Sequence, residues 1–245
     1  MLLAVDIGNT NITFGIFKGK KLQKQFDIPT KEYSKFKLLK KLRIKPRISA
    51  TLICSVVPKL TRILQRDLMI KTGKKPYILG KDLVVPINNP YHKPNQLGQD
   101  RLVNTYAALC FYKTPLIVID SGTAITFDVI DKNKKYLGGL IIPGMKISLE
   151  ALREKTALLP SVSLNNPKMF IGCDTKNSLL SGIVFGTAGS VKELTNKIKK
   201  CIGKNARVIG TGGNIGLIKK YSKIDLKTDN NLTLKGINFI YEETI

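Results

Sequence analysis

The feature of this sequence that most restricts its fold is a pattern that occurs twice. Segment 6–14 (DIGNTNITF) aligns with segment 120–127 (DSGTAITF) after a gap of one residue. Each copy follows a short apolar run, carries an Asp-x-Gly turn and continues into a second apolar run. Agreement at the Asp, Gly, Thr and Phe positions favours duplication over chance, so we expect two domains built on one plan.

The segments around each copy have the same predicted order. Apolar patterning in the first half predicts strands at 2–5, 11–17, 22–28 and 48–55, with helices at 33–42, 58–70 and 101–112. The second half predicts strands at 116–119, 124–130, 136–142 and 206–210, with helices from 143, over 178–200, after 213 and from 232. Both halves are therefore predicted as a βββαβα core, giving an α/β protein with domains 1–113 and 114–245.

Each Asp-x-Gly turn has the chemistry of a phosphate cradle. Gly8 allows the backbone to approach an anion closely, and the Thr10 hydroxyl and nearby N–H groups can donate to phosphate oxygens. Asp6, at the strand end, can hold Mg²⁺ together with phosphate and water. The second copy supplies Asp120, Gly122 and Thr123. One such turn could equally be an ordinary Asp-Gly turn, but two favour a nucleotide held from both sides of a cleft.

The two commoner nucleotide loops are missing from this sequence. There is no G-x-x-x-x-G-K-[ST] segment, and no G-x-G-x-x-G segment follows the first strand. Nucleotide binding is therefore expected to depend on the paired hairpins.

The formal charge of +24 raises the alternative of nucleic-acid binding. The excess is mostly lysine, spread over segments 18–24, 35–45, 132–135 and 197–204 without an arginine-rich helix or interleaved aromatic residues. This distribution favours a solvated basic surface that attracts small anions such as ATP.

Cysteine usage and hydropathy exclude several classes of protein. Four separated cysteines and a single histidine, His92, provide neither a zinc cluster nor a disulfide framework, so we expect buried, reduced thiols. No apolar run approaches the roughly 20 residues that span a bilayer. The first residues lack the features of a signal peptide, which predicts a cytoplasmic protein.

These motifs resemble a known family. Paired hairpins on duplicated cores are similar to the superfamily of actin, Hsp70 chaperones and sugar kinases, whose domains have the ribonuclease-H-like, or actin-like ATPase, fold. Three segments narrow the resemblance to type III pantothenate kinases. They are 91–101 (YHKPNQLGQDR), 138–144 (GGLIIPG) and 172–178 (GCDTKNS) followed by Ser181-Gly182.

The resemblance implies an activity and its residues. It implies ATP-dependent phosphorylation of pantothenate to 4'-phosphopantothenate, the first step of coenzyme A biosynthesis, by a phosphotransferase with an alcohol acceptor. Asp100 matches the family's proposed general base, and Asp120 matches a site for K⁺ or NH₄⁺. The residues matched to ATP are Asp6, Ile7, Gly8, Asn9, Thr10, Asn11, Ile12, Thr13 and Thr123. Those matched to pantothenate are Tyr91, Gly98, Gln99, Asp100, Arg101 and Thr175.

Alternative interpretations accompany these assignments. Asp100 could be only a helix N-cap, Tyr91 only a buried aromatic residue, and Thr175 only a cap. The resemblance implies that Thr175 comes from the partner subunit of a homodimer. At the level of function, a sugar or carboxylate kinase of the same superfold and a regulatory or nucleic-acid-binding protein remain alternatives.

Overall fold

A computed structural model describes residues 1–42, 48–91, 93 and 96–245 of the chain. These residues form two compact units, of which the first contains 1–110 and 231–245 and the second contains 111–230. The sequence-based division at 113/114 assigned the last segment to the second domain, whereas its contacts are with the first unit. His92, Pro94 and Asn95 of the 91–101 motif lie outside the described residues.

The elements of the first half follow the predicted order. They are β1 (Leu2–Ile7), β2 (Asn11–Lys18), β3 (Lys21–Pro29), a 3₁₀ turn (Thr30–Glu32), α1 (Lys35–Lys41), β4 (Ala50–Ser55), α2 (Pro58–Thr72), β5 (Tyr77–Ile78) and α3 (Gln99–Phe111). Local chemistry explains the helix ends. The Ser34 hydroxyl caps α1 by accepting the Lys37 N–H, Pro58 occupies the first turn of α2, and left-handed Gly73 ends it.

The second half contains the corresponding elements. They are β6 (Leu116–Ser121), β7 (Ala124–Ile130), β8 (Tyr136–Pro143), α4 (Met145–Lys155), α5 (Thr175–Ile202), β9 (Arg207–Thr211), α6 (Ile215–Ser222), β10 (Lys227–Thr228) and α7 (Leu232–Thr244). Strands β5 and β10, of two residues each, were not predicted because a dipeptide is too short to show a period of two.

The two sheets have the same topology. The first has the order β3-β2-β1-β4-β5, and the second, counted from its other edge, has the order β8-β7-β6-β9-β10. In each sheet the first three strands are antiparallel and the last two are parallel to the central strand. This correspondence confirms the predicted α/β class and the duplicated core. Both Asp-x-Gly turns connect a central strand to its antiparallel neighbour.

Helix α7 completes the first unit by close packing against α3. A Cβ atom on Gly236 would lie 2.8 Å from Val103 Cγ1 and 2.9 Å from the Val103 carbonyl oxygen. The Thr233 hydroxyl donates to Asn104 Oδ1 over 2.7 Å, and Ile237 and Ile240 are fully buried. The glycine therefore allows the two helix backbones to approach each other.

Most of the cysteines are exposed. Of the four cysteines, all within the described residues, only Cys54 is buried, while Cys110, Cys173 and Cys201 are exposed, and none of the four is in a disulfide. The expectation of buried thiols was therefore wrong for three of them, because Cys110 and Cys201 occupy exposed helix positions and Cys173 lies in the segment before α5. Within the described residues, no helix combines the length and apolarity needed to cross a bilayer.

Candidate active site

The first hairpin turn lies at the end of β1. The Gly8 N–H donates to the Asn11 carbonyl oxygen over 2.9 Å, which closes the turn and leaves Asn9 and Thr10 exposed. Asp6 immediately precedes the turn and is partly exposed. The side chains of Ile7 and Ile12 are fully buried in the core, so contact with a nucleotide could involve only their backbone.

Asp100 occupies the first turn of α3, and its position depends on Gly98. Its Oδ1 accepts the Arg101 N–H over 2.8 Å. A Cβ atom at position 98 would overlap this same oxygen, so the G-x-D spacing gives the carboxylate room against the backbone. Gly98, whose carbonyl accepts the Leu102 N–H, stands where a cap would be. The simple N-cap interpretation of Asp100 is therefore wrong.

The surroundings of Asp100 suit a proton acceptor. Burial raises the pKa of its carboxyl group above the ordinary value, although the Arg101 N–H and guanidinium oppose the rise. A raised pKa makes the ionised carboxylate a stronger base than a solvated one.

A buried thiol lies near two carboxylates of the first unit. Cys54 on β4 is in register with Asp6 on β1. Burial raises the pKa of the Cys54 thiol, and the Asp6 and Asp100 carboxylates raise it further. Both carboxylates therefore act electrostatically on the Cys54 thiol, so the end of β1 and the start of α3 lie near the same buried side chain. No sequence motif points to Cys54 as a neighbour of these acids, because only strand register reveals this relation.

Arg101 and Tyr91 contact each other in the same unit. Arg101 Nη1 donates to the Tyr91 hydroxyl over 3.1 Å, and the guanidinium carbon lies 6.0 Å from the centre of the tyrosine ring. Arg101 is only 6% exposed. Gln99 packs its amide against Gly80, where a Cβ atom would lie 2.7 Å from Gln99 Cδ. The structure thus brings Tyr91, Gln99, Asp100 and Arg101 together.

The second hairpin turn has an equivalent architecture. The Gly122 N–H donates to the Ala124 carbonyl oxygen over 3.0 Å, and Thr123 is exposed. Asp120, at the end of β6, places Oδ1 against Gly212, where a Cβ atom would overlap the carboxylate oxygen. Gly212 has a φ of 88°, a conformation that favours glycine. Only a residue without a side chain leaves room for the Asp120 carboxylate to lie this close to the backbone.

The spacing of potential metal ligands limits how a cation could be held. The described part of the chain contains no group of three or more His, Cys, Asp or Glu residues able to hold a metal ion. Mg²⁺ bound near Asp6 would therefore keep mostly water and phosphate oxygens as ligands, as it usually does.

Thr175 begins helix α5 in the second unit. The residue that caps this helix is Asp174, whose carboxylate accepts the Asn177 N–H over 2.9 Å. The capping interpretation of Thr175 is therefore wrong, and Thr175 is exposed in the single chain.

Comparison with known proteins gives long matches to one family. A family model described as type III pantothenate kinase matches residues 2–197. The type III pantothenate kinase of Agathobacter rectalis is 37% identical over 253 residues, covering 99% of this chain and 97% of the relative. The Geobacter sulfurreducens enzyme of the same description is also 37% identical, over 252 residues, covering 99% and 98%.

Solved structures support the fold. A Campylobacter jejuni protein described as a Baf family transcriptional activator has a TM-score of 0.60 at 22% identity and covers 98% of both chains. Component A of (R)-2-hydroxyglutaryl-CoA dehydratase from Acidaminococcus fermentans has a TM-score of 0.55 at 15% identity, covering 98% of this chain and 96% of that one. The ATP-glucomannokinase from an Arthrobacter strain has a TM-score of 0.51 at 15% identity, covering 99% and 98%. At these identities the likeness establishes the fold alone.

Proposed function

This chain belongs to the type III pantothenate kinase family, and from that membership we propose that it phosphorylates pantothenate with ATP to give 4'-phosphopantothenate, the first step of coenzyme A biosynthesis. The observation that carries the proposal is the family match over residues 2–197, which includes both hairpins and Asp100. The assembly of Asp100, Arg101 and Tyr91 in one unit supports it.

Asp100 is proposed as the general base. It accepts the proton of the primary hydroxyl of pantothenate as that oxygen bonds to the γ-phosphorus of ATP. The bond from this phosphorus to the β–γ bridging oxygen breaks, and ADP leaves. Because phosphoryl transfer requires mainly positioning and charge neutralisation, one oriented carboxylate is sufficient chemistry on the acceptor side.

The remaining residues are proposed to hold the substrates. Arg101 and Tyr91 orient pantothenate, with a cationic donor fork suited to its carboxylate. Segment 6–13 and Thr123 bind ATP through turn N–H groups and hydroxyls. Mg²⁺ near Asp6 would neutralise phosphate charge, and a monovalent cation, K⁺ or NH₄⁺, would be held at Asp120.

The proposed activity predicts a specific pattern of turnover. Purified protein with ATP and Mg²⁺ should release ADP only when pantothenate is added, and faster in K⁺ than in Na⁺. A coupled ADP assay measures this, with pantothenate omitted as the control. Phosphorylation of a sugar or acetate without pantothenate turnover would instead favour another kinase of the superfold. Tight, salt-sensitive nucleic-acid binding without turnover would favour a regulatory protein.

We also propose that the active form is a homodimer. The segment before Thr175 exposes apolar side chains, with Phe170 69% and Ile171 77% accessible in the single chain. Nearby, α5 and the end of β8 line a cavity of about 770 Å³ whose wall includes Gly182 and Gly186. Surfaces of this kind are typical of subunit contacts. Light scattering on the active enzyme tests the proposal, and an active monomer contradicts it.

A further inference from the structure

One residue outside the recognised motifs makes two hydrogen bonds to the first hairpin turn. The Thr30 hydroxyl donates to the Gly8 carbonyl oxygen over 2.7 Å, and the Thr30 N–H donates to the Thr10 carbonyl oxygen over 2.8 Å. Thr30 directly follows β3, so these bonds connect the end of the third strand to the turn between the first two.

These bonds determine which way the turn presents its donors. In a trans peptide unit the C=O and N–H groups point in opposite directions. Holding the Gly8 and Thr10 carbonyl groups toward Thr30 therefore turns the N–H groups of Asn9 and Asn11 away from it. Successive N–H groups held in a turn form an anion-binding concavity.

The second unit provides an internal comparison. Pro143 ends β8 opposite Ala124, as Pro29 ends β3 opposite Asn11. The residue that follows, Gly144, donates its N–H to the Thr123 carbonyl oxygen over 3.0 Å, matching the backbone bond of Thr30. The backbone contact is thus common to both turns.

The hydroxyl bond distinguishes the first turn from the second. Gly144 has no side chain, and a Cβ atom there would lie 2.6 Å from the Gly122 carbonyl oxygen, the counterpart of the Gly8 carbonyl oxygen. Thr30 therefore gives the first turn a side-chain hydrogen bond that Gly144, at the corresponding position, cannot give to the second turn.

We propose that Thr30 is a positioning residue that orients the first hairpin turn for the phosphates of ATP. The inference rests on the proposed use of ATP at this hairpin. Because Thr30 acts through the turn, its loss should weaken nucleotide binding and leave the affinity for pantothenate unchanged.

The test compares Thr30→Val, which keeps the shape and the backbone N–H but removes the hydroxyl, with Thr30→Ser, which keeps the hydroxyl. Loss of one such hydrogen bond corresponds to a decrease of roughly 3- to 10-fold in ATP affinity. Titration calorimetry with Mg·ATP in the absence of pantothenate should show this decrease for Thr30→Val and near wild-type binding for Thr30→Ser. Steady-state kinetics should show a raised KM for ATP and an unchanged KM for pantothenate.

Several outcomes separate the possibilities. Wild-type ATP affinity in Thr30→Val, or a lowered melting temperature without any change in ATP binding, would overturn the positioning role. If wild type binds ATP but does not turn over pantothenate, the proposed function fails while the calorimetric comparison still tests Thr30. Thr30→Ala serves as a second hydroxyl-free variant if the valine variant does not fold.

Discussion

Asp100→Asn is expected to lower kcat for pantothenate phosphorylation by about 10²- to 10⁴-fold, the usual contribution of a general base. Asparagine keeps the shape of the side chain and can still accept the Arg101 N–H through its amide oxygen, but it cannot take up a proton. Initial rates of ADP release at saturating substrates measure the effect. A variant that keeps more than a tenth of the wild-type kcat would contradict the assignment.

The raised pKa of Asp100 predicts how both activity and stability change with pH. Because the base acts in its ionised form, kcat/KM should decrease as the pH is lowered. This decrease should occur at a higher pH than for an ordinary aspartate, whose pKa is about 3.9. A carboxyl group whose pKa is raised on folding destabilises the folded state when ionised. Asp100→Asn should therefore increase the free energy of unfolding at neutral pH, and this gain should disappear below the ordinary pKa of aspartate.

Two variants control this experiment. Asp27→Asn removes an exposed carboxylate of the same unit and should leave kcat unchanged. Gly98→Ala keeps Asp100 but places a methyl group where the carboxylate oxygen lies, so kcat should fall although the base is still present. Normal activity in Gly98→Ala would show that the position of the carboxylate is not critical.

Gly236→Ala is expected to lower the free energy of unfolding of the first unit by about 1–3 kcal/mol, the typical cost of overpacking. Its methyl group would lie 2.8 Å from Val103 Cγ1, 2.9 Å from a backbone oxygen and 3.0 Å from Ala107 Cβ. Helices α3 and α7 must therefore move apart. Urea unfolding followed by circular dichroism measures the change.

The matched control is Gly216→Ala in helix α6. A Cβ atom at Gly216 meets nothing within 4 Å, so the substitution should be neutral or stabilising by up to about 1 kcal/mol through helix propensity. Equal effects of the two substitutions would indicate that the close approach of α3 and α7 does not limit stability.

The order of elements could be predicted from sequence because the buried strands carry unmistakable apolar runs. Predicted and observed strand ends agree within two residues for the strands longer than a dipeptide. The placement of α7 could not be predicted in the same way. Its residues indicate a helix, but only the complementary shapes of Gly236 and Val103 show which unit it completes.

The residues of the candidate site also differ in whether the sequence alone points to them. Asp6, Asp120 and the segment around Asp100 were selectable because their motifs are short and local. The contacts of Cys54 and Thr30 were not, because strand register brings them to the site from distant positions in the chain. Thr30 and Gly8 are 22 residues apart in the chain, and no hydrophobic periodicity indicates a contact over that separation.

The return of α7 to the first unit also has a consequence for how the protein is made on the ribosome. The second unit is one uninterrupted stretch, residues 111–230, whereas the first requires both the opening segment and the final one, 231–245. Domains fold as their residues emerge from the ribosome. The first unit, although its synthesis begins first, is therefore completed after the second unit. Until residues 231–245 have been synthesised, the face of α3 that receives Gly236 lacks its cover, so the nascent chain carries an apolar surface that the folded first unit conceals.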